Sequence, residues 1–214
     1  MKRAGALLLI VCTAAAYGEG LPARSTVDQY AAKADGKGLT LAAEVIPPDQ
    51  VRNEFSTALV PNYQVLEVAI YPQSGSTVDI SVIDFALRVD GRLIRPAEPR
   101  TIAVRNQKQA SRGGRDITLW PSVGVSTGTW GTGTNVGVGV GVGGRRPGPA
   151  STDRDRRVME TELDDRSLRD QIADKPVAGY VYFPVGETNA RSAQLVYQHD
   201  AGDITLSLDL QAKK

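Results

Sequence analysis

The stretch Phe85-Ala86-Leu87-Arg88-Val89-Asp90-Gly91-Arg92-Leu93-Ile94 decides how the rest of the chain is read. Phe85, Leu87 and Val89 alternate with Ala86, Arg88 and Asp90, the period of a strand with one face turned to a core. Asp90-Gly91 supplies the two left-handed backbone positions of a two-residue hairpin turn, and Arg92-Leu93-Ile94 returns. Pro96 and Pro99 end the returning strand or place it at an edge, because proline has no N–H to give to a ladder.

The same period recurs upstream. Leu66, Val68 and Ile70 share a face opposite Glu67 and Ala69, as in a sheet covered on one side, and Val78, Ile80 and Val82 repeat the pattern. Leu39 to Ile46 reads as a further strand. Pro47-Pro48-Asp49 then opens a short helix with Val51, Phe55 and Leu59 along one stripe.

Downstream, Thr101 to Val104 is expected as a short strand, followed by a polar, basic loop from Arg105 to Arg115. In the charged run from Asp153 to Asp174, Met159, Leu163, Leu168 and Ile172 are spaced four, five and four residues apart. This predicts a helix over 152–172, or two short ones broken near Asp164-Asp165, with Thr152 and Asp155 forming a capping box. Strands return in Gly179-Tyr180-Val181-Tyr182-Phe183 and in Gln194 to Tyr197. In the last strand Ile204, Leu206, Leu208 and Leu210 face inward and Thr205, Ser207, Asp209 and Gln211 outward, after a turn at Ala201-Gly202-Asp203.

About seven or eight short strands separated by turn residues predict a mainly β fold, an antiparallel immunoglobulin-like β-sandwich. Residues 105–174 form an insertion in it, Gly-rich over 117–149 and helical over 152–172. Two separate small sandwiches without disulfides would bury too little apolar surface, so 36–214 is expected to be one discontinuous domain.

Lys2-Arg3, an uncharged run from Ala4 to Ala16 and the small residues Ala14-Ala15-Ala16 read as a cleaved secretory signal over residues 1–16. Its thirteen-residue apolar run is shorter than the ~20 residues that cross a bilayer as a helix. The alternative is a lipid anchor at Cys12, although Val11 is bulkier than the residue usual before such a cysteine. Residues 17–35 are polar and Ala-rich and read as a flexible leader, with structure expected from Gly36. Loss of Lys2 and Arg3 leaves 23 basic against 24 acidic residues, a net charge of −1. Near-neutrality argues against a nucleic-acid partner. The one cysteine leaves with the signal, so stability must come from core burial rather than disulfides.

Lys175-Pro-Val-Ala-Gly-Tyr-Val-Tyr-Phe-Pro-Val185, followed by an alternating strand pair, resembles the late strands of telokin-like, immunoglobulin-fold domains of secreted bacterial envelope proteins. The resemblance covers the last forty residues and extends to the strand at Gln64 to Tyr71. It implies an exported binding or scaffold module with no fixed catalytic residues. The long Gly-rich insertion departs from the compact pattern of that family.

His199 is the only histidine, so a Ser-His-Asp arrangement would rest on it with Asp200 or Asp203, and no G-x-S-x-G elbow accompanies it. Zinc lacks nitrogen and sulfur ligands. Asp153-x-Asp155 and Asp164-Asp165 sit among Arg154, Arg156, Arg157 and Arg166, which favours ion pairs on a helix over a calcium loop. A paired-carboxylate glycosidase needs only two acids, but aromatic residues for sugar stacking are scarce. The expectation is a non-catalytic protein without metal or cofactor.

Ile117 to Gly144 carries no charge over 28 residues. Leu119 to Thr129 and Thr132 to Val142 make two equal arms around Trp130-Gly131, with Val136, Val138, Val140 and Val142 on one face, a length that also suits a membrane-crossing strand. Gly133, Gly137 and Gly141 offer a helix-packing repeat, but so many glycines make a helix costly in water. A flexible loop, a β-hairpin and a membrane-associated arm all remain open. Trp120, Trp130, Val136, Val138, Val140 and Val142 are the candidate contacts with a membrane or partner. The resulting expectation is an exported periplasmic or cell-surface protein that binds an unknown protein or envelope component. The alternative is a membrane-inserting or self-assembling protein that uses 119–142.

Overall fold

The computed structural model describes residues 20–36, 38–59, 62–112, 152–186, 188–199 and 202–210. The first half contains β1 (Ala32–Gly36), β2 (Leu39–Val45), α1 (Pro48–Glu54), β3 (Gln64–Pro72), β4 (Val78–Ile80), β5 (Phe85–Val89) and β6 (Arg92–Ile94). Then follow α2 (Pro99–Arg112), α3 (Asp153–Arg166), β7 (Gln171–Ala173), β8 (Val177–Phe183), β9 (Ser192–Tyr197) and β10 (Ile204–Asp209). The expected signal at 1–16 and the Gly-rich stretch, with Trp120, Trp130, Val136, Val138, Val140 and Val142, lie outside the described residues.

The hairpin forms as its residues dictate. Asp90 and Gly91 take φ of 48° and 76°, and Val89 pairs with Arg92 across the two-residue turn. All strand pairings within named sheets are antiparallel. One four-stranded sheet runs β1-β2-β3-β8, a second runs β10-β9-β5-β6, and β4 with β7 makes a small ribbon. The inward faces of the two large sheets share one core: Leu41, Leu66, Val68 and Val181 from the first meet Phe85, Leu87, Leu195 and Leu206 from the second. Phe85 and Tyr197, directly paired across strands, stack at 4.4 Å between ring centroids.

Four expectations change on this frame. The first concerns α2: Thr101 to Val104 is helical, and so is most of the expected basic loop. Pro99 starts the helix, and Ile102, Ala103, Asn106 and Ala110 form its buried stripe. Asn106 hid that stripe, because a polar residue stands where an apolar one is expected; its amide donates to Ala58 O at 2.6 Å. The second concerns α3, which stops at Arg166 rather than running to Ile172. Leu168 instead enters the core between the sheets, and Ile172 is exposed in β7. Likewise α1 ends at Glu54, so Leu59 lies beyond it.

The third correction is the leader. From Gly20 the chain lies on the first sheet, bridging Leu21 to Ala178, and β1 pairs with β2 from Ala32. The fourth is β3, whose outward residues Val65, Glu67 and Ala69 are all buried. Helices α1, α2 and α3 cover Val65, Tyr180 and Tyr182 through Val51, Ile102, Met159 and Leu163. The leader covers Ala69 together with Ala42 and Ala178. The three helices and the leader therefore form a further layer on the outer face of the first sheet.

The free edge of β8 is sealed by three separate segments. Leu21 N, Leu168 N and Ala97 N donate to the carbonyls of Ala178, Tyr180 and Tyr182 at 3.0, 3.0 and 2.8 Å. Strand addition at this edge is blocked in the way edge strands require.

Candidate functional site

Polar chemistry concentrates on the outer face of the first sheet, where strand register sets it in rows. Ala42, Ala69 and Ala178 lie side by side across β2, β3 and β8, and the next row is Glu44, Glu67 and Tyr180. Directly opposed carboxylates on neighbouring strands repel. Arg24 of the leader offsets this: its Nη2 and Nε reach the two Glu67 oxygens at 2.6 and 3.2 Å, and its Nη1 lies 2.6 Å from Glu44 Oε2. This is a bidentate fork with a second acid on the same guanidinium.

Aromatic side chains enclose the fork. The guanidinium carbon sits 4.2 Å from the Tyr30 ring centre, and Tyr71 Oη donates to Arg24 O at 2.8 Å. Tyr30 and Tyr71 meet edge to face at 6.3 Å. Burial first, and the nearby Glu67 charge second, push the Tyr30 hydroxyl well above its ordinary pKa. Alongside, Tyr180 Oη donates to Glu54 Oε2 at 2.5 Å, and Arg166 Nη1 holds the same oxygen at 2.7 Å.

A second feature is an open cleft of about 680 Å³ between α2 and α3. Glu98 and Arg100 lie on one side, with Arg156, Arg157, Glu160 and Asp164 on the other. Arg156 pairs with Glu160 at 3.2 Å, and Asp164 with Arg169 at 3.0 Å. At the far end Gln107 Nε2 donates to Asp153 at 3.0 Å, which holds that carboxyl below its ordinary range.

Of the acids weighed for calcium, Asp153, Asp155 and Asp164 have side-chain partners outside any shared site. Asp155 closes the capping box, accepting from Thr152 N at 3.1 Å while its own N–H donates to Thr152 Oγ1 at 3.1 Å. Among the described residues no three His, Cys, Asp or Glu side chains group as metal ligands. His199 follows β9, 5.8 Å from the Tyr197 ring centroid, and Asp200 lies outside the described residues. No described helix is long and apolar enough to cross a membrane, which says nothing of strands that cross. Sequence reasoning missed Arg24, Glu44, Tyr30 and Tyr71. The available signal was Glu67, a charge in the middle of an otherwise apolar strand.

The sequence matches no protein-family profile and no curated protein. Among solved structures, the crystal structure of a provisionally assigned lipoprotein (ycdA) from Bacillus subtilis subsp. subtilis str. 168 aligns with a TM-score of 0.41 and 13% identity. The alignment covers 85% of this chain and 39% of that one, so the chain spans about two fifths of that neighbour's length.

Proposed function

We propose that this protein is an exported, non-catalytic envelope protein in which an immunoglobulin-like β-sandwich acts as a scaffold for binding. The helical pair and the chain between its helices are the part offered to a partner. The observation that carries this reading is the antiparallel course of α2 and α3. Pro99 and Arg100 lie across the cleft from Glu160 and Asp164, while Gln107 reaches Asp153. Arg112 and Thr152, which bracket residues 113–151, therefore stand at the same end of a helical stem seated on the sandwich.

Supporting the immunoglobulin-like reading, β2-β3-β8 and β10-β9-β5-β6 follow the neighbour order A-B-E and G-F-C-C′. Strand β1 and the β4–β7 ribbon lie outside that order. Supporting export, Lys2-Arg3 and Ala14-Ala15-Ala16 have the pattern of a signal and its cleavage site. Supporting a non-catalytic role, Asp153, Asp155, Asp164 and Glu160 each hold a structural partner.

The second reading is a membrane-inserting or self-assembling protein that works through 119–142, favoured by the two equal arms around Trp130-Gly131. Deletion of residues 119–142, followed by fractionation and mass measurement of the mature chain, separates the two. The scaffold reading expects a mature mass beginning near Tyr17, a soluble deletion variant with unchanged thermal unfolding and loss of partner capture. Membrane partitioning or oligomerisation that vanishes with the deletion would instead establish the second reading. A retained signal would overturn export.

A further inference from the structure

Residues 20–31 form a strap with little structure of their own. Beyond the short 3-10 turn at Val27–Gln29, the strap's burial is against the sheet: Leu21, Ala23, Val27 and Tyr30 fill the trough left by Ala42, Ala69 and Ala178. Three alanines in one register row make that trough, because larger side chains on any of the three strands would close it. The strap is anchored at Gly20 N to Asp165 O and Leu21 N to Ala178 O, at the Arg24 fork and at Arg24 O. It joins the body through the exposed Ala31.

The occupant shows what the surface accepts: an extended segment with small and apolar residues around one arginine. When the strap leaves, Glu44 and Glu67 face each other without their shared cation, so the empty surface gains from being refilled. Every contact made by the strap is available unchanged from an identical chain, so exchange sacrifices no interaction. We infer that the Ala42–Ala69–Ala178 trough with its Glu44/Glu67 pair is an acceptor surface for the strap of a second copy of this chain. This assignment stands apart from the role proposed for α2 and α3.

Complementary variants of the full chain test it. Arg24→Glu repels the strap from its own acceptor and leaves that acceptor intact; Glu44→Lys with Glu67→Gln spoils the acceptor and leaves the strap intact. Each variant alone is expected to be monomeric by light scattering, and the mixture to form a heterodimer. In the Arg24→Glu chain the amides of residues 20–31 are expected to exchange at least tenfold faster than in the wild type. A mixture that stays monomeric while those amides exchange freely overturns the inference, and so does a strap that stays protected. If the acceptor variant does not fold, a labelled synthetic peptide of residues 17–31 replaces it. That peptide must then bind the Arg24→Glu chain at least tenfold more tightly than the wild type, and equal or absent binding overturns the inference. Arg24→Ala serves in the same scheme if Arg24→Glu does not fold.

Discussion

Gly179 shows how a single residue lets two elements share one space. It lies in β8, opposite Val68, and the chain leaving α3 passes so close that a Cβ there would overlap the backbone of Leu168 and Ser167. Neither neighbour yields easily, because Leu168 N is bonded to Tyr180 O and its side chain is fixed in the core. Gly179→Ala is therefore expected to cost at least the ~1–3 kcal/mol of an overpacked core. A lowered midpoint in urea with an unchanged slope would show it, and wild-type stability would mean that the crossing is loose. Nothing in the sequence marks this glycine, since its cause lies eleven or twelve residues earlier. Leu206 and Ser207 are the opposite case. A period of two is set by the backbone itself, and Leu206 is indeed buried while Ser207 is exposed, with Leu206 paired to Leu195.

At the scale of elements, capping chemistry was legible where apolar periodicity misled. Thr152 and Asp155 satisfy one another's backbone N–H groups at the start of α3, a pattern that the spacing alone supplies. Thr152→Ala is expected to cost about 1 kcal/mol and to leave Met159 and Leu163 packed. A thermal shift of that size with unchanged near-ultraviolet circular dichroism is the check, and no shift would mean that solvent caps the helix equally well. The far end of the same helix was misplaced because Leu168 continues the apolar spacing. Ser167 ends the helix instead, taking extended backbone (φ −66°, ψ 144°) and donating its hydroxyl to Leu163 O at 2.6 Å. In α2 the error ran the other way: the buried Asn106 interrupts an apolar stripe whose remaining members are Ile102, Ala103 and Ala110.

The whole molecule has one more layer than its strand patterns imply, and the reason lies in long-range pairing. Glu67 and Ala69 read as a solvent face because one is charged and the other small. In the fold Glu67 is matched by Arg24, 43 residues away, and Ala69 makes room for the strap. The pattern distinguishes wet from dry faces only when a buried charge has no distant partner. The covered face also places Tyr30, Tyr180 and Tyr182 out of water, and burial is the leading cause that raises each of their pKa values above the ordinary one. The folded state thus keeps these protons where the unfolded chain releases them. Their contribution is complete below the unfolded tyrosine value of about 10 and is lost as pH rises through the folded values, at about 1.4 kcal/mol per unit for each tyrosine still protonated. Parallel titration by tyrosinate absorbance and far-ultraviolet circular dichroism should give a coincident transition above pH ~10. The three buried hydroxyls should ionise only as the strap and helical layer come away. Full ionisation with the helical signal intact would instead mean that the strap and helices do not shield this face of the sheet.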